Sequence, residues 1–188
     1  HLDALAESGM VFDAAFVASP SCAPSRAALM TGLMPARNGA EENHTYPREG
    51  IRGLPEQLQS LGYQTAAFGK DAHSKSAVRY GFDVIEHKSD IPDLQKNGTR
   101  FFQERTETRP LALFVGTSDP HVPWPSDAIT DPTKIRLPPT QVDTPQTRVQ
   151  RSRYLQEVIN LDAFVGQVRA LCDKHLGEAP VFAFSSDH

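Results

Sequence analysis

The hydrophobic pattern of the chain alternates between short apolar runs and longer amphipathic stretches. Residues 111–116 (LALFVG) and 180–184 are apolar runs of strand length, and residues 64–69 (QTAAFG) and 82–86 are two further predicted strands. From 145 to 175, apolar residues recur at spacings of three and four, which predicts one long helix. Continuous apolar strands that alternate with helices are typical of a parallel sheet buried on both sides. The pattern therefore predicts an α/β fold with a mostly parallel central sheet and helices on both faces.

Glycines and prolines divide the rest of the chain. Gly9, Gly32 and Gly62 end the three predicted helices that begin at Leu2, Pro24 and Leu54, because glycine commonly ends a helix. The proline-rich stretch 119–145 predicts a long ordered loop beside a site. The remaining predicted elements are helices over 2–8, 24–30 and 54–63, a helix from Asp90 to about Thr106 that is interrupted at Asn97–Gly98, and a short strand within 10–17.

Composition limits the classes of partner. The 188 residues are enough for one domain with a sizeable core. The 19 basic and 23 acidic residues give a net charge of −4, which offers no reason to expect nucleic acid as a partner. The apolar runs are too short to span a bilayer, so no membrane partner is expected. Cys22 and Cys172 lie too far apart to suggest a disulfide framework.

Three of the predicted strands end in polar clusters. These clusters are FGKDAH (68–73), VGTSDPH (115–121) and FSSDH (184–188). In open parallel sheets the chemistry gathers at the carboxyl ends of the strands. Each cluster alone is also compatible with an ordinary turn, and a loop histidine is usually just solvated. Their common position after predicted strands favours a shared site.

Cys22 lies at the start of a predicted helix, with Arg26 one turn further on. The unpaired N–H groups and the positive dipole end of such a helix attract anions. From the local sequence alone, a buried structural cysteine is an equally good interpretation.

The sequence around Cys22 resembles the signature of the sulfatase family. Residues 22–32, CAPSRAALMTG, match C-x-P-S-R-x-x-L-x-T-G at every specified position. GYQTAAFGKDAH, SDPHVPW and AFSSDH are also similar to family segments, so the resemblance extends over nearly the whole chain. It implies that a formylglycine-generating enzyme oxidises Cys22 to Cα-formylglycine after translation.

The resemblance also implies catalytic and substrate-binding roles for four further residues. Arg26 would hold the modified residue 22 and neutralise sulfuryl oxygens. Lys70 would hold a sulfate oxygen, and His73 would contact the formylglycine hydroxyl. The three-residue spacing from Lys70 to His73 is like that of the iduronate-sulfatase group. His121 would contact the substrate sulfate and protonate or shield the leaving oxygen.

A metal site and an incomplete domain follow from the same resemblance. Asp187 and His188, together with residue 22, would bind Ca²⁺ or Mg²⁺. Paired aspartates on a first strand are expected before His1, and a smaller C-terminal subdomain is expected after His188. Residues 1–188 are therefore expected to be part of the N-terminal catalytic domain of an alkaline-phosphatase-like sulfatase. Expressed alone, they are expected to bind calcium poorly and to show no activity.

The implied reaction is hydrolysis of a sulfate ester or sulfamate, in which hydrated formylglycine attacks sulfur. Likeness to sulfamidase-type and iduronate-sulfatase-type members indicates a small sulfated substrate, such as a glycosaminoglycan sugar. A periplasmic, secreted or lysosomal-type compartment is favoured. Two alternatives stay open. One is a phosphonate monoester or phosphodiester hydrolase of the same superfamily, and the other is a non-catalytic α/β fragment with an unmodified Cys22.

Overall fold

The computed structural model describes residues 1–72, 74–87, 91–177 and 180–188. Among these residues, no helix combines the length and the apolar character needed to cross a membrane. Two short 3₁₀ turns cover Lys70–Ala72 and Pro132–Lys134. The helices are α1 (Leu2–Ser8), α2 (Cys22–Thr31), α3 (Pro35–Asn38), α4 (Leu54–Ser60), α5 (Ser74–Arg79), α6 (Ile91–Glu104) and α7 (Pro145–Leu176), and the strands are β1 (Gln64–Gly69), β2 (Val84–Glu86) and β3 (Leu111–Gly116).

The three strands form one parallel sheet in the order β2-β1-β3. The pairing of β1 with β3 begins at Gln64 opposite Leu111 and ends at Gly69 opposite Gly116. Because both strands end at the same level, the residues that follow them leave the sheet at one edge. The predicted α/β fold with a parallel sheet is confirmed.

Hydrophobic clusters cover both faces of the sheet. Side chains alternate along β3, so Phe114 contacts one cluster while Leu113 and Val115 contact the other. The first cluster comprises Met30, Ala67, Ala77, Tyr80 and Phe82, and the second comprises Leu94, Phe164, Val168 and Cys172. Since α2 and α5 contribute to one cluster and α6 and α7 to the other, helices lie on both faces, as predicted.

Helix α6 is continuous through Asn97 and Gly98, so the predicted interruption there is wrong. A Cβ atom at Gly98 would lie 2.4 Å from Cδ2 of Leu171 on α7. The glycine therefore permits close packing of two helices and does not break one. Asn97, beside it, is buried.

Two predicted strands are absent from the described residues. Residues 180–188 form no strand, and Val181 is fully exposed, although Phe182 packs against the second cluster. Residues 10–17 also form no strand, and Phe16 is 92% exposed. An apolar run predicts a strand only if a neighbouring strand is there to pair with its backbone. At 180–188 the packing involves a side chain and no backbone ladder.

Candidate active site

The N-terminus of α2 carries Cys22. Ser21 precedes it in an extended conformation, and Gly32, with φ of 68°, ends the helix in the left-handed region. The first N–H groups of α2, which have no partner within the helix, therefore lie beside residue 22. The Cys22 Sγ atom is 3.2 Å from Nε2 of His188. Both cysteines are free thiols, so no disulfide links Cys22 to Cys172.

Arg26 joins α2 to the end of β1. Its Nε atom donates to the carbonyl oxygen of Cys22 at 3.2 Å, and its Nη1 atom donates to that of Lys70 at 2.6 Å. Two backbone acceptors on different elements therefore fix one planar guanidinium. This fixed positive charge lies one turn from the residue that begins α2.

Asp187 brings the C-terminal segment to the same place. The Lys70 Nζ atom lies 3.3 Å from Asp187 Oδ2, and the Arg26 Nε atom lies 3.8 Å from the same oxygen. These three side chains are between 16% and 25% exposed. The Ser25 hydroxyl donates to the backbone carbonyl of Asp187. The structure thus joins Cys22, Arg26, Lys70, Asp187 and His188 in one cluster of direct contacts.

Asp71 is a member of this cluster that the sequence interpretation missed. Burial raises the pKa of its carboxyl; the charges of Arg26 and Lys70 oppose this rise, and that of Asp187 adds to it. A Cβ atom at Gly116 would lie 2.9 Å from the Asp71 backbone nitrogen and 3.1 Å from its Oδ2, so only glycine leaves room there. The signal in the sequence was an acid directly after Lys70, at the end of a buried strand.

A small cavity adjoins this cluster. It is lined by Arg26 and Asp71, together with Tyr80 and Thr45. Burial raises the pKa of Tyr80 to about 12, against the opposing charge of Arg26, so its hydroxyl is neutral throughout the physiological range. The cavity therefore offers polar groups of both signs and a neutral phenol.

His121 is exposed on the loop that follows β3. Its backbone N–H donates to the Ser118 carbonyl at 2.8 Å, and its Nδ1 atom donates to the Val122 carbonyl at 2.5 Å. Within the part of the chain that the structure describes, these contacts stay inside the loop and do not reach Cys22. The loop nevertheless begins at the sheet edge where β1 also ends. His73, the other predicted histidine, lies outside the described residues.

Cys22, Asp187 and His188 offer three donor atoms that all lie within 4.8 Å of one another. The Asp187 Oδ2 atom is buried and has no hydrogen-bond partner among the described residues, although the two cations lie near it. Ca²⁺ takes six to eight oxygen ligands, and Mg²⁺ takes six. One carboxylate, one imidazole and one sulfur fit one side of such a shell, and an oxygen in place of the sulfur would fit better.

Comparison with known proteins identifies the family. The model of the sulfatase family matches residues 1–188. The chain belongs to the sulfatase family. An ulvan-active sulfatase of Formosa agariphila is 28% identical to this sulfatase chain over 194 residues, which cover 100% of this chain and 39% of the relative. Human N-sulphoglucosamine sulphohydrolase is 34% identical over 134 residues, which cover 64% of this chain and 26% of the relative. This sulfatase chain therefore spans less than half the length of either relative.

A solved structure confirms the fold of this sulfatase chain. A structure from Bacteroides thetaiotaomicron, solved in work on the metabolism of multiple glycosaminoglycans, matches it with a TM-score of 0.66 and 18% identity. The match covers 94% of this chain and 50% of the other. The predicted resemblance to sulfatases and the predicted fold class are both confirmed.

Proposed function

We propose that this chain belongs to an enzyme that hydrolyses sulfuric esters or sulfamates, with a nucleophile made from Cys22. The observation that carries the proposal is the position of Cys22 at the N-terminus of α2, in one cluster with the cations of Arg26 and Lys70. A helix N-terminus and two fixed cations together suit a sulfate group. The oxidised residue, when present, supplies the hydroxyl that attacks sulfur.

The residues around Cys22 would stabilise the charge on the sulfuryl oxygens. Arg26 is already oriented by two backbone carbonyls, so it needs little reorganisation when substrate arrives. Lys70 would hold a second oxygen, and His121 would protonate or shield the leaving oxygen from the loop after β3. His73 would contact the hydroxyl of the modified residue 22. Asp187 balances the charges of Arg26 and Lys70.

Asp187, His188 and residue 22 would hold a divalent cation, Ca²⁺ or Mg²⁺. A cation there would act as a Lewis acid toward a sulfuryl oxygen. The Oδ2 atom of Asp187 supports this assignment, because it is buried near two cations and forms no hydrogen bond with the described residues, so it is free to bind a metal ion. Water or other chain segments would complete the shell.

A sulfated sugar is the substrate class that the relatives support. One relative is named as active on ulvan and the other as acting on N-sulphoglucosamine. The partner in maturation would be a formylglycine-generating enzyme, and the compartment would be periplasmic, secreted or lysosomal.

The test combines maturation with turnover. The full-length protein is produced with a formylglycine-generating enzyme, and the peptide that contains residue 22 is analysed by mass spectrometry. Aryl sulfate and aryl phosphate esters are then assayed side by side. We expect conversion of Cys22 and preferential turnover of the sulfate ester.

Two cysteine variants make this test specific. Cys22→Ala should abolish turnover and leave the fold nearly unchanged, because it removes the nucleophile and few packing contacts. Cys172→Ala, which removes the other free thiol, should keep both the modification and the turnover. Normal activity of Cys22→Ala would overturn the proposal, and faster turnover of the phosphate ester would favour the phosphohydrolase alternative.

A further inference from the structure

The proline-rich loop that carries His121 is bound along α7. Three side chains of α7, spaced by four residues and therefore on one helix face, form hydrogen bonds with the loop backbone. These bonds are Arg148 Nη1 to the Ile135 carbonyl at 2.9 Å, Ser152 Oγ to the Thr130 carbonyl at 2.6 Å, and the Ile129 N–H to Gln156 Oε1 at 3.1 Å.

Two further residues of α7 bind the loop on either side of His121. After His121, the Trp124 ring packs edge-on against Tyr154, with ring centres 5.7 Å apart and an angle of 76°. The Trp124 Nε1 atom also donates to the carbonyl of Pro120 at 3.0 Å. The indole therefore joins the residue before His121 to the helix.

Before His121, the Asp119 side chain shares a hydrogen bond with that of Glu157. Glu157 lies one turn after Tyr154 and is 9% exposed. Burial, a hydrogen bond with Asp119 and the negative charge of Asp119 together raise the pKa of Glu157 to about 7, and burial is the largest of these causes. Arg153, one turn before Glu157, has a buried Nε atom without a hydrogen-bond partner among the described residues. A protonated Glu157 can donate this hydrogen bond to the Asp119 side chain.

We infer that Tyr154 and Glu157 are positioning residues, which hold the His121 imidazole at the edge of the sheet where the sulfate would bind. The inference rests on the proposed function, which gives His121 its contact with substrate. Among the described residues, His121 forms hydrogen bonds only within its own loop. These bonds fix the imidazole relative to the loop and do not orient it toward the site. The anchors two residues before it and three residues after it, at Asp119 and Trp124, supply that orientation.

The first test measures docking of the loop. Trp124 is the single tryptophan of the 188 residues, so in the full-length protein, with any tryptophan outside these residues replaced by phenylalanine, its fluorescence reports on this loop. We expect Tyr154→Ala and Glu157→Ala to increase acrylamide quenching of Trp124. Asp173→Asn, an exposed acid on the same helix, should not. Wild-type Trp124 emission should also change near pH 7, and Glu157→Gln, which keeps a donor but cannot ionise, should abolish that change.

Histidine side chains ordinarily titrate in the same pH range. The fluorescence titration is therefore repeated with His121→Ala, which removes the imidazole nearest to Trp124 in the sequence. The transition near pH 7 should remain in this variant. Its disappearance there, or unchanged quenching in Tyr154→Ala and Glu157→Ala, would overturn the inference.

The second test is kinetic and uses the matured full-length protein. Glu157→Ala should lower kcat by ~10–100-fold and change KM little, because a misplaced catalytic group is lost mainly from the transition state. Glu157→Gln should restore kcat to within roughly threefold of wild type, since its amide can still donate to Asp119. The His121→Ala/Glu157→Ala double variant should be no slower than His121→Ala alone.

The outcomes separate the inference from the proposed function. If His121→Ala keeps full activity, the proposed role of His121 is wrong, and with it the functional part of this inference. If His121→Ala loses activity while Glu157→Ala does not, or if the two losses multiply in the double variant, the positioning role is wrong although the proposed function stands.

Discussion

Lys70 and Asp187 both follow apolar runs, yet the structure positions them by different means. Lys70 comes directly after β1, whose backbone is paired with a strand on each side. Asp187 ends a segment without a ladder, and it is held by the Ser25 hydroxyl and by the cations of Lys70 and Arg26. The same sequence pattern can therefore be anchored by backbone pairing or by a few side chains. Only backbone pairing is insensitive to the identity of single residues.

The largest effect is expected at Lys70, because its side chain links the end of β1 to Asp187 in the segment 180–188. Lys70→Met removes the charge and keeps the apolar stem. We expect kcat to fall by ~10²–10³-fold, the scale for loss of one preorganised charge-stabilising group. Because Lys70 is one of few contacts of Asp187, amide hydrogen exchange in 180–188 should also accelerate.

A matched control for this variant is Lys134→Met, because the Lys134 side chain is 84% exposed in the loop. It should change neither the turnover nor the exchange. Wild-type exchange of residues 180–188 in Lys70→Met would mean that other contacts hold the segment.

The next largest effect is expected on the free energy of unfolding, when the side chain that packs residues 180–188 against the core is removed. Phe182 is half-buried against the second cluster, whereas Phe184 is 45% exposed. Phe182→Ala should lower the free energy of unfolding by about 1–3 kcal/mol, less than for a fully buried phenylalanine. Phe184→Ala should change it by about 0.5 kcal/mol or less. Urea unfolding of the two variants measures the difference, and equal effects would show that the segment is not anchored through Phe182.

The smallest expected effect concerns Asp71, which lies just after the paired strand β1. Because its folded-state pKa is raised, the folded chain binds more protons than the unfolded chain between pH 3.8 and that pKa. The contribution of Asp71 to the free energy of unfolding therefore falls as the pH rises from 3.8 through the folded-state pKa. Asp71→Asn should be slightly more stable than wild type at pH 7, and the gain should vanish below about pH 3.8.

Asp143 provides a control of opposite sign. A hydrogen bond from Arg148 lowers the pKa of Asp143, so its contribution to stability is present at neutral pH and is lost as pH falls through the folded-state pKa. Asp143→Asn should be less stable than wild type at pH 7, and this loss should disappear in acid. Thermal unfolding over a pH series measures both variants. The same sign for both would contradict the account of Asp71.

Sequence alone could predict the paired strands because their information is local. Residues 111–116 are continuously apolar, residues 64–69 are apolar after Gln64 and Thr65, and each segment is long enough for a strand buried on both faces. Residues 180–184 are also apolar but have no neighbouring strand in the described part of the chain. Whether a partner strand is available depends on the whole fold, so it cannot be predicted from the sequence of the segment itself.

The candidate site shows a similar division. The resemblance to sulfatases was enough to nominate Cys22, Arg26, Lys70 and Asp187, which the structure places in one cluster. The partners of the loop were not predictable in this way. Glu157 lies on the apolar face of α7, four residues before Leu161, and an acid in such a stripe indicates that some partner exists. Asp119 is the partner because of the path that the long loop takes across α7. The hydrophobic periodicity of the sequence does not predict that path.

The close approach of α6 to α7 has a consequence for recombinant production. Asn97, Gly98 and Thr99 form an acceptor triplet for N-linked glycans, which eukaryotic secretory cells attach. In the folded chain Asn97 is only 7% exposed, and Gly98 leaves no room beyond Leu171. A glycan added during synthesis would have to be accommodated where two helices pack together. Expression in a bacterial host, or with Thr99→Ala in a eukaryotic one, avoids this conflict between modification and folding.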